Sequence, residues 1–232
     1  MNSVLITGSN RGMGLEWARQ YAQAGWRVYA SCRLPELADE LNEMAADHDQ
    51  VSVHRLDVTK PDEIARLAAE LGDDALDLLI NNAGIYWEQW GRDLLGQIKY
   101  DDWQDTLMVN TLGAMRMSEA LIEKLALSER GLIVAISSHM GSIAEITSPN
   151  DYAYRSSKAA LNAAMKGLSL EVAERGVGVL LFHPGWVRTR MGGETAPLSA
   201  RESVSAMRKL VDGYQPAQSG HFYRYDGTEI PW

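Results

Sequence analysis

Residues 3–14 read SVLITGSNRGMG, a mostly apolar run that passes into a glycine-rich turn. The run Ser3–Thr7 predicts a short strand that is buried on both faces. Gly12–Gln23 follows with a helical pattern, and Gly25 is a typical helix stop. Glycines at such a turn let the backbone approach a pyrophosphate, while the helix N-terminus offers free N–H groups and the positive end of its dipole. The same glycines would also suit a turn that only needs tight packing.

The three glycines have the spacing G-x-x-x-G-x-G, a variant of the commoner G-x-G-x-x-G dinucleotide fingerprint. Their position after the first strand of an alternating pattern favours dinucleotide binding over packing alone. The residues of this turn that we expect to contact the dinucleotide are Gly8, Asn10, Arg11, Gly12, Met13 and Gly14.

Beyond this turn, strand-like apolar runs alternate with helical patterns. Further strands are predicted at Trp26–Ser31, Val51–Leu56, Leu76–Ile80, Leu132–Ile136, Val177–Phe182 and Gly220–Tyr225. Further helices are predicted at Pro35–Ala46, Asp62–Leu71, Asp101–Leu127, Tyr154–Arg175 and Ser199–Asp212. This alternation predicts an α/β fold, a Rossmann-type doubly wound and mostly parallel sheet of about seven strands with helices on both faces. No linker or repeat interrupts the 232 residues, so we expect a single domain over residues 1–232.

Composition narrows the classes of partner and compartment. The net charge of −9 argues against nucleic acid or an anionic membrane as the main partner. Cys32 is the one cysteine, which excludes an intrachain disulfide and fits a reducing compartment. No signal peptide or apolar run of about 20 residues is visible, so a cytoplasmic protein is expected. No metal site is predicted, because no ligand spacing is seen among His48, His54, His139, His183 and His221.

Two arginines bear on the choice of dinucleotide. Arg33 closely follows the predicted second strand, and no acidic residue that could hold a ribose 2′-OH occurs before Glu36. Arg33 and Arg11 would instead suit a 2′-phosphate, because guanidinium groups bind phosphate in bidentate fashion. NADP(H) is therefore the expected cofactor, although Arg33 could also be an ordinary solvated residue.

Tyr154 and Lys158 lie four residues apart on a predicted helix and so share one face. A free tyrosine has a pKa near ~10 and is a poor base at neutral pH. A nearby ammonium would favour the phenolate and lower the pKa of Tyr154, which would make it a usable proton donor and acceptor. The spacing alone is a weak signal.

Two further polar residues, Ser138 and Asn110, are candidates for the site. Ser138 follows the predicted fifth strand, and a hydroxyl there points into the crevice where ligands bind, within reach of a substrate carbonyl. Alternatively, Ser137 and Ser138 only cap the next turn. Asn110 lies inside a long predicted helix although asparagine is a mediocre helix former; a solvated surface residue is the simpler explanation.

Taken in order, these motifs resemble the short-chain dehydrogenase/reductase family. The resemblance runs from Val4 to about Thr189. It rests on Thr7-Gly8-x-x-x-Gly12-x-Gly14, Asn81-Asn82-Ala83-Gly84, Asn110, Ser138, Tyr154-x-x-x-Lys158 and Pro184-Gly185. Residues 152–158, 183–187 and 191–193 look like the sniffer and C-factor branch of carbonyl reductases.

The resemblance implies a role for each matching residue. Tyr154 would be the acid/base, Lys158 would bind the nicotinamide ribose and tune Tyr154, Ser138 would polarise the carbonyl, and Asn110 would position a water for a proton relay from Lys158. Beyond the glycine turn, Arg33, Tyr154 and Lys158, the implied cofactor contacts are Asp57, Val58, Asn82, Ala83, Gly84, Pro184, Gly185, Val187 and Thr189.

The implied function is that of an NADP(H)-dependent oxidoreductase that moves hydride between the nicotinamide and a small-molecule carbonyl or alcohol. The alternative is an NADP(H)-binding signalling or regulatory protein of C-factor type whose catalysis is incidental. The resemblance also implies a homodimer or homotetramer, with two long helices, Asp101–Leu127 and Tyr154–Arg175, at the dimer interface.

Two loops are expected to carry substrate contacts, Ile85–Tyr100 and Val187–Leu198. An apolar pocket is suggested by Trp87, Trp90, Met140, Trp186 and Met191, although these residues could equally belong to the core or an interface. Ser138 precedes Tyr154 by 16 residues, a longer gap than in many family members, and the extra residues fall within Ser142–Asp151.

Overall fold

The structure is a computed structural model that describes residues 1–87 and 95–232. Its strands are β1 Ser3–Thr7, β2 Arg27–Cys32, β3 Val51–Arg55, β4 Leu78–Asn81, β5 Leu132–Ile136, β6 Gly178–His183, β7 Val187–Arg188, β8 Leu198–Ser199 and β9 His221–Arg224. Seven of them form one sheet in the order β3-β2-β1-β4-β5-β6-β9, and every pair in it is parallel. The predicted doubly wound sheet is confirmed.

Helices cover both faces of this sheet. They are α1 Gly12–Gln23, α2 Asp39–Asp47, α3 Pro61–Glu70, α4 Tyr100–Leu107, α5 Ala114–Ala126, α6 Tyr152–Glu171 and α7 Ala200–Asp212. One buried cluster joins β1 residues Val4 and Ile6 to α1, α2 and α7, while Leu5 faces a second cluster with α3, α5 and α6. Successive side chains of a strand point to opposite faces, which is why β1 is apolar throughout.

The order of the strands reverses at β1, which pairs with β2 on one side and β4 on the other. Hydrogen bonds tie the carboxyl ends of β1 and β4 together at this point. The Thr7 hydroxyl accepts from the backbone N–H groups of Asn82 and Ala83, each at 3.0 Å. The Asn82 amide donates to the carbonyls of Thr7 (2.9 Å) and Gly8 (3.2 Å). In such sheets, ligands bind in the crevice at this reversal.

Two predicted helices are interrupted or shortened in the structure. Residues 35–37 form a short 3₁₀ turn, and α2 begins only at Asp39 because the backbone of Ala38 is not helical. The predicted long helix Asp101–Leu127 is divided by a π-helical turn, Met108–Gly113, between α4 and α5. A π turn inserts one extra residue and so re-aims the side chains that it carries.

The remaining differences concern strands and termini of helices. The predicted loop Val187–Leu198 contains β7 and β8, which pair with each other. α6 begins two residues earlier than predicted and ends at Glu171, where a 3₁₀ turn follows. Among the residues that the structure describes, no helix combines the length and apolar character needed to cross a membrane.

Candidate active site

The glycine turn between β1 and α1 is shaped by close backbone contacts. Gly8 and Gly12 have positive φ angles of 71° and 56°, a region that favours glycine. At Gly14 an added Cβ would lie 2.1 Å from the Gly8 carbonyl oxygen. Arg11 occupies the N-cap of α1 and makes no side-chain cap hydrogen bond. Tight packing and an uncapped helix N-terminus therefore coexist here, and the second feature suits a pyrophosphate.

Three arginines gather beside this turn. Burial, then the charge of Arg190, then that of Arg33 lower the pKa of Arg11 below its ordinary value. The Thr189 methyl group lies 3.3 Å from where a Cβ of Gly12 would stand, so the loop after β6 returns to the glycine turn. Within residues 1–87 and 95–232, none of these arginines forms an ion pair with a carboxylate. Unneutralised guanidinium groups in a chain of net charge −9 suit an anionic phosphate.

The other predicted cofactor contacts lie along the same edge of the sheet, at or beyond the carboxyl ends of its strands. These are Asn10, Met13, Arg33, Asp57, Val58, Asn82, Ala83, Gly84, Pro184, Gly185, Val187 and Thr189. Several of their side chains are committed to the fold, as the Asn82 amide is between β1 and β4. Met13 packs against the core, and the Asp57 carboxylate accepts from the N–H and hydroxyl of Thr59 at 2.9 and 2.7 Å.

α6 and β5 bring the predicted catalytic side chains together. Tyr154 and Lys158 are buried, and Lys158 Nζ lies 5.7 Å from the centroid of the Tyr154 ring. Lys158 also donates to the Ile136 carbonyl at 2.8 Å. The Ser138 hydroxyl hydrogen-bonds Tyr154 and also accepts from the Met140 N–H at 3.1 Å, so it caps the following turn as well.

Ser137 has a different environment from Ser138. Its hydroxyl donates to Asn162 Oδ1 at 2.6 Å, and its N–H donates to the Phe182 carbonyl at 2.7 Å. Both contacts hold β5 to its neighbours. Of the two serines, Ser138 is therefore the one that meets Tyr154.

Burial dominates the proton affinities of the pair. It raises the pKa of Tyr154 to about 12, against a smaller lowering by the hydrogen bond with Ser138. It lowers the pKa of Lys158 to about 8. The net pKa of Tyr154 is therefore raised and not lowered, because burial disfavours the charged phenolate more than its surroundings favour it. At neutral pH Tyr154 is thus a protonated phenol, the form that can donate a proton.

Asn110 is buried, and its side chain joins two parts of the site. Oδ1 accepts from the Ile85 N–H at 2.8 Å, and Nδ2 donates to the Ile85 carbonyl at 2.9 Å and to Ser157 Oγ at 3.0 Å. Ser157 lies on α6, and its hydroxyl donates to the Tyr154 carbonyl at 2.8 Å. The interpretation of Asn110 as a surface residue is wrong. The π-helical turn carries this residue, which ties the loop after β4 to the helix of Tyr154.

The sequence analysis did not identify three residues that contribute contacts to this site. Arg190 joins the arginine cluster, Tyr86 lies against Tyr154, and Asp151 accepts a hydrogen bond from Tyr86. The only signal for them was their position in loops that the sequence analysis had singled out, Ile85–Tyr100, Ser142–Asp151 and Val187–Leu198. Their partners are remote in sequence.

The side chains that suggested an apolar pocket are exposed or half-buried where the structure describes them. Trp186 is 56% exposed and its indole N–H donates to the Gly192 carbonyl at 2.7 Å. Trp87 is 46% exposed and Met191 37% exposed, whereas Met140 is half-buried. Trp90 lies outside the described residues.

In the described part of the chain, no group of three or more His, Cys, Asp or Glu residues could hold a metal ion.

Comparisons with known proteins show which family and fold this chain is similar to. The family described as short chain dehydrogenase matches residues 2–198. C-signal of Myxococcus xanthus is 42% identical over 159 residues, which cover 68% of this chain and 93% of that protein. The structure of the carbonyl reductase Sniffer of D. melanogaster has a TM-score of 0.93 at 33% identity, with full coverage of both chains. An NADPH-bound carbonyl reductase from chicken fatty liver also has a TM-score of 0.93, at 31% identity, covering 100% of this chain and 99% of that one.

Proposed function

This chain belongs to the short-chain dehydrogenase family, in its sniffer-like and C-factor-like branch, and we propose that it reduces a small-molecule carbonyl with Tyr154 as the proton donor. It is an NADP(H)-dependent oxidoreductase. The observation that carries the proposal is the buried arrangement of Ser138, Tyr154 and Lys158 at the same edge of the sheet as the glycine turn.

The residues of that edge fit NADP(H). When bound, the cofactor supplies or accepts the hydride. The uncapped N-terminus of α1 and the tight turn at Gly8 and Gly14 suit the pyrophosphate. Arg11, Arg33 and Arg190 offer guanidinium groups to the phosphates, the 2′-phosphate included. The other predicted contacts would line the nucleotide along the strand ends.

The proton-transfer step follows from the hydrogen bonds and charges around Tyr154. In the reduction, the Tyr154 hydroxyl donates its proton to the carbonyl oxygen while Ser138 donates a second hydrogen bond to that oxygen. The raised pKa of Tyr154 keeps the proton available across the neutral range. Lys158 holds an ammonium near the ring, which stabilises the phenolate that remains.

Asn110 has a supporting place in this scheme. Its side chain is committed to Ile85 and Ser157. A water that relays protons from Lys158 would therefore meet its main chain. Gly84 adjoins both groups, because an added Cβ there would stand 3.3 Å from Asn110 Oδ1 and 3.7 Å from Lys158 Nζ.

The second candidate function is signalling or regulation of C-factor type with incidental catalysis. The similarity to C-signal at 42% identity favours it. The two functions differ in one respect that can be measured: an enzyme turns over a carbonyl, whereas a regulatory protein needs only to bind NADP(H).

We further propose that residues 1–232 act as one domain and that the chain forms a homodimer, or a tetramer built from dimers, through α4–α5 and α6. Apolar side chains remain exposed in this region. Leu112, in the π-helical turn, is 43% exposed, and Leu170 on α6 is 70% exposed. A second copy would bury them.

A panel of aldehydes, ketones and quinones with NADPH tests the function. The proposal expects NADPH oxidation that depends on at least one of these carbonyls, with Ser138→Ala slower than the wild-type chain but similar in NADPH affinity. NADPH binding without turnover of any carbonyl would contradict it and favour the regulatory alternative.

A further inference from the structure

The loop after β4 places an aromatic ring against Tyr154. The centroids of the Tyr86 and Tyr154 rings are 4.2 Å apart, with their planes inclined by 31°. The Tyr86 hydroxyl donates a 2.5 Å hydrogen bond to Asp151 Oδ1. Asp151 directly precedes α6, so the ring that covers Tyr154 is anchored to the start of the helix that carries Tyr154.

The backbone end of Tyr86 is also fixed. The preceding residue, Ile85, exchanges two hydrogen bonds with the Asn110 side chain, at 2.8 and 2.9 Å. Asn110 in turn donates to Ser157 on α6. Hydrogen bonds thereby connect both the side chain of Tyr86 and the backbone next to it to the helix that carries Tyr154.

Asp151 is held in an unusual backbone conformation. Among described residues other than glycine, Asn150 and Asp151 are the two with positive φ, at 74° and 56°. Asp151 occupies the N-cap of α6, where a carboxylate ordinarily accepts from the first-turn N–H groups, yet it makes no such bond. Its Oδ1 accepts from Tyr86 instead. Strained conformations of this kind persist where surrounding contacts determine them, often near functional sites.

We propose that Tyr86 is a positioning residue that fixes the ring of Tyr154, and that Asp151 holds Tyr86 in place for this task. The inference rests on the proposed role of Tyr154 as proton donor. Tyr86 transfers no proton itself; the proton passes from the Tyr154 hydroxyl to the carbonyl oxygen. By covering one ring face, Tyr86 limits the tilt of Tyr154 and excludes water from that side. A loosened ring lowers the rate of proton transfer without changing the affinity for NADPH.

A double-mutant cycle tests the anchor. Tyr86→Phe keeps the ring and removes the hydroxyl, and Asp151→Ala removes the acceptor. Each should lower kcat for the best carbonyl by roughly tenfold, and the double variant should be no slower than the slower single, because both remove one charge-assisted hydrogen bond. The solvent deuterium isotope effect on kcat should rise, and the Kd for NADPH should stay unchanged.

Two variants separate positioning from general damage. Asp151→Asn keeps an Oδ1 acceptor and tolerates the left-handed conformation, so it should restore most of the wild-type kcat. Tyr152→Phe is the matched control, because it also removes only a tyrosine hydroxyl. Tyr152 lies two residues before Tyr154, and its ring stacks on Trp103. Its kcat should match that of the wild-type chain.

Several results would overturn the proposal. These are a Tyr86→Phe variant as fast as the wild-type chain or faster, a double variant that shows the product of the two single effects, or an Asp151→Asn variant as slow as Asp151→Ala. If the wild-type chain reduces no carbonyl, the proposed function fails on its own, and amide hydrogen exchange then tests the anchor. Exchange in the first turn of α6 should accelerate in Tyr86→Phe and Asp151→Ala but not in Asp151→Asn; unchanged exchange in the first two variants would refute the anchor.

Discussion

Gly14→Ala offers a test of the glycine turn whose size can be worked from distances. The added Cβ would stand 2.1 Å from the Gly8 oxygen and 2.6 Å from Asn82 Nδ2. Contacts of real Cβ atoms stay above 3.0 Å, so these two groups must retreat by about 0.9 and 0.4 Å. Gly14 lacks the positive φ that strains other residues, and the whole effect therefore comes from this contact. The displaced amide is the one that ties β1 to β4.

Overpacking of this kind costs about 1–3 kcal/mol, which for a chain of this length lowers the Tm by roughly 3–10 °C. Because the turn is proposed to hold the pyrophosphate, the Kd for NADPH should also rise by roughly tenfold or more, the equivalent of one charge-assisted hydrogen bond. Thermal unfolding and NADPH fluorescence titration measure the two effects.

Gly25→Ala is the matched control for this substitution. Gly25 follows the other end of α1 with a φ of 75° and nothing within 4 Å of an added Cβ. The Gly25→Ala variant should lose about 1 kcal/mol of unfolding free energy through backbone strain. It should bind NADPH with the affinity of the wild-type chain. If Gly14→Ala kept both the Tm and the NADPH affinity of the wild-type chain, the close-packed turn would not be what forms the cofactor site.

The remaining predictions concern the cofactor, pH and assembly. Arg33→Asp should shift preference from NADPH towards NADH; equal affinity of the wild-type chain for both cofactors would sink this expectation. Arg190→Ala should weaken NADPH binding and reduce its salt dependence, whereas unchanged titrations at low and high salt would exclude Arg190 from the phosphate site. NADPH affinity should fall as pH rises through about 8, because the pKa of Lys158 is lowered to that value and its charge is lost above it; Lys158→Met should remove this part of the pH dependence. Light scattering at micromolar concentration should give at least twice the chain mass, and a monomeric mass would refute the proposed dimer.

The sequence was most informative where local pattern decides structure. The stretch from Ser3 to Gln23 carries an apolar run, glycines at a turn and a helical period, and its element boundaries match the structure. Tyr154 and Lys158 share a helix face by their spacing alone, and the structure places both in the same buried site. Local rules suffice for such features because the interacting residues are neighbours in the chain.

Long-range packing set the features that the sequence did not reveal. Asn110 is buried because its partners Ile85 and Ser157, 25 and 47 residues away, close around a π-helical turn. Tyr86 and Asp151 are separated by 65 residues. The upward shift in the pKa of Tyr154 also depends on burial, which only the folded arrangement determines.

The central claim is that Tyr154 transfers the proton, and single-turnover reduction of the best carbonyl by Tyr154→Phe at saturating NADPH tests it most directly. The substitution removes only a hydroxyl, so the Tm and the NADPH affinity should remain close to those of the wild-type chain. General acid–base catalysis typically contributes ~10²–10⁴-fold, so the rate should fall by at least about a hundredfold. Reduction by Tyr154→Phe at nearly the wild-type rate would contradict the mechanism.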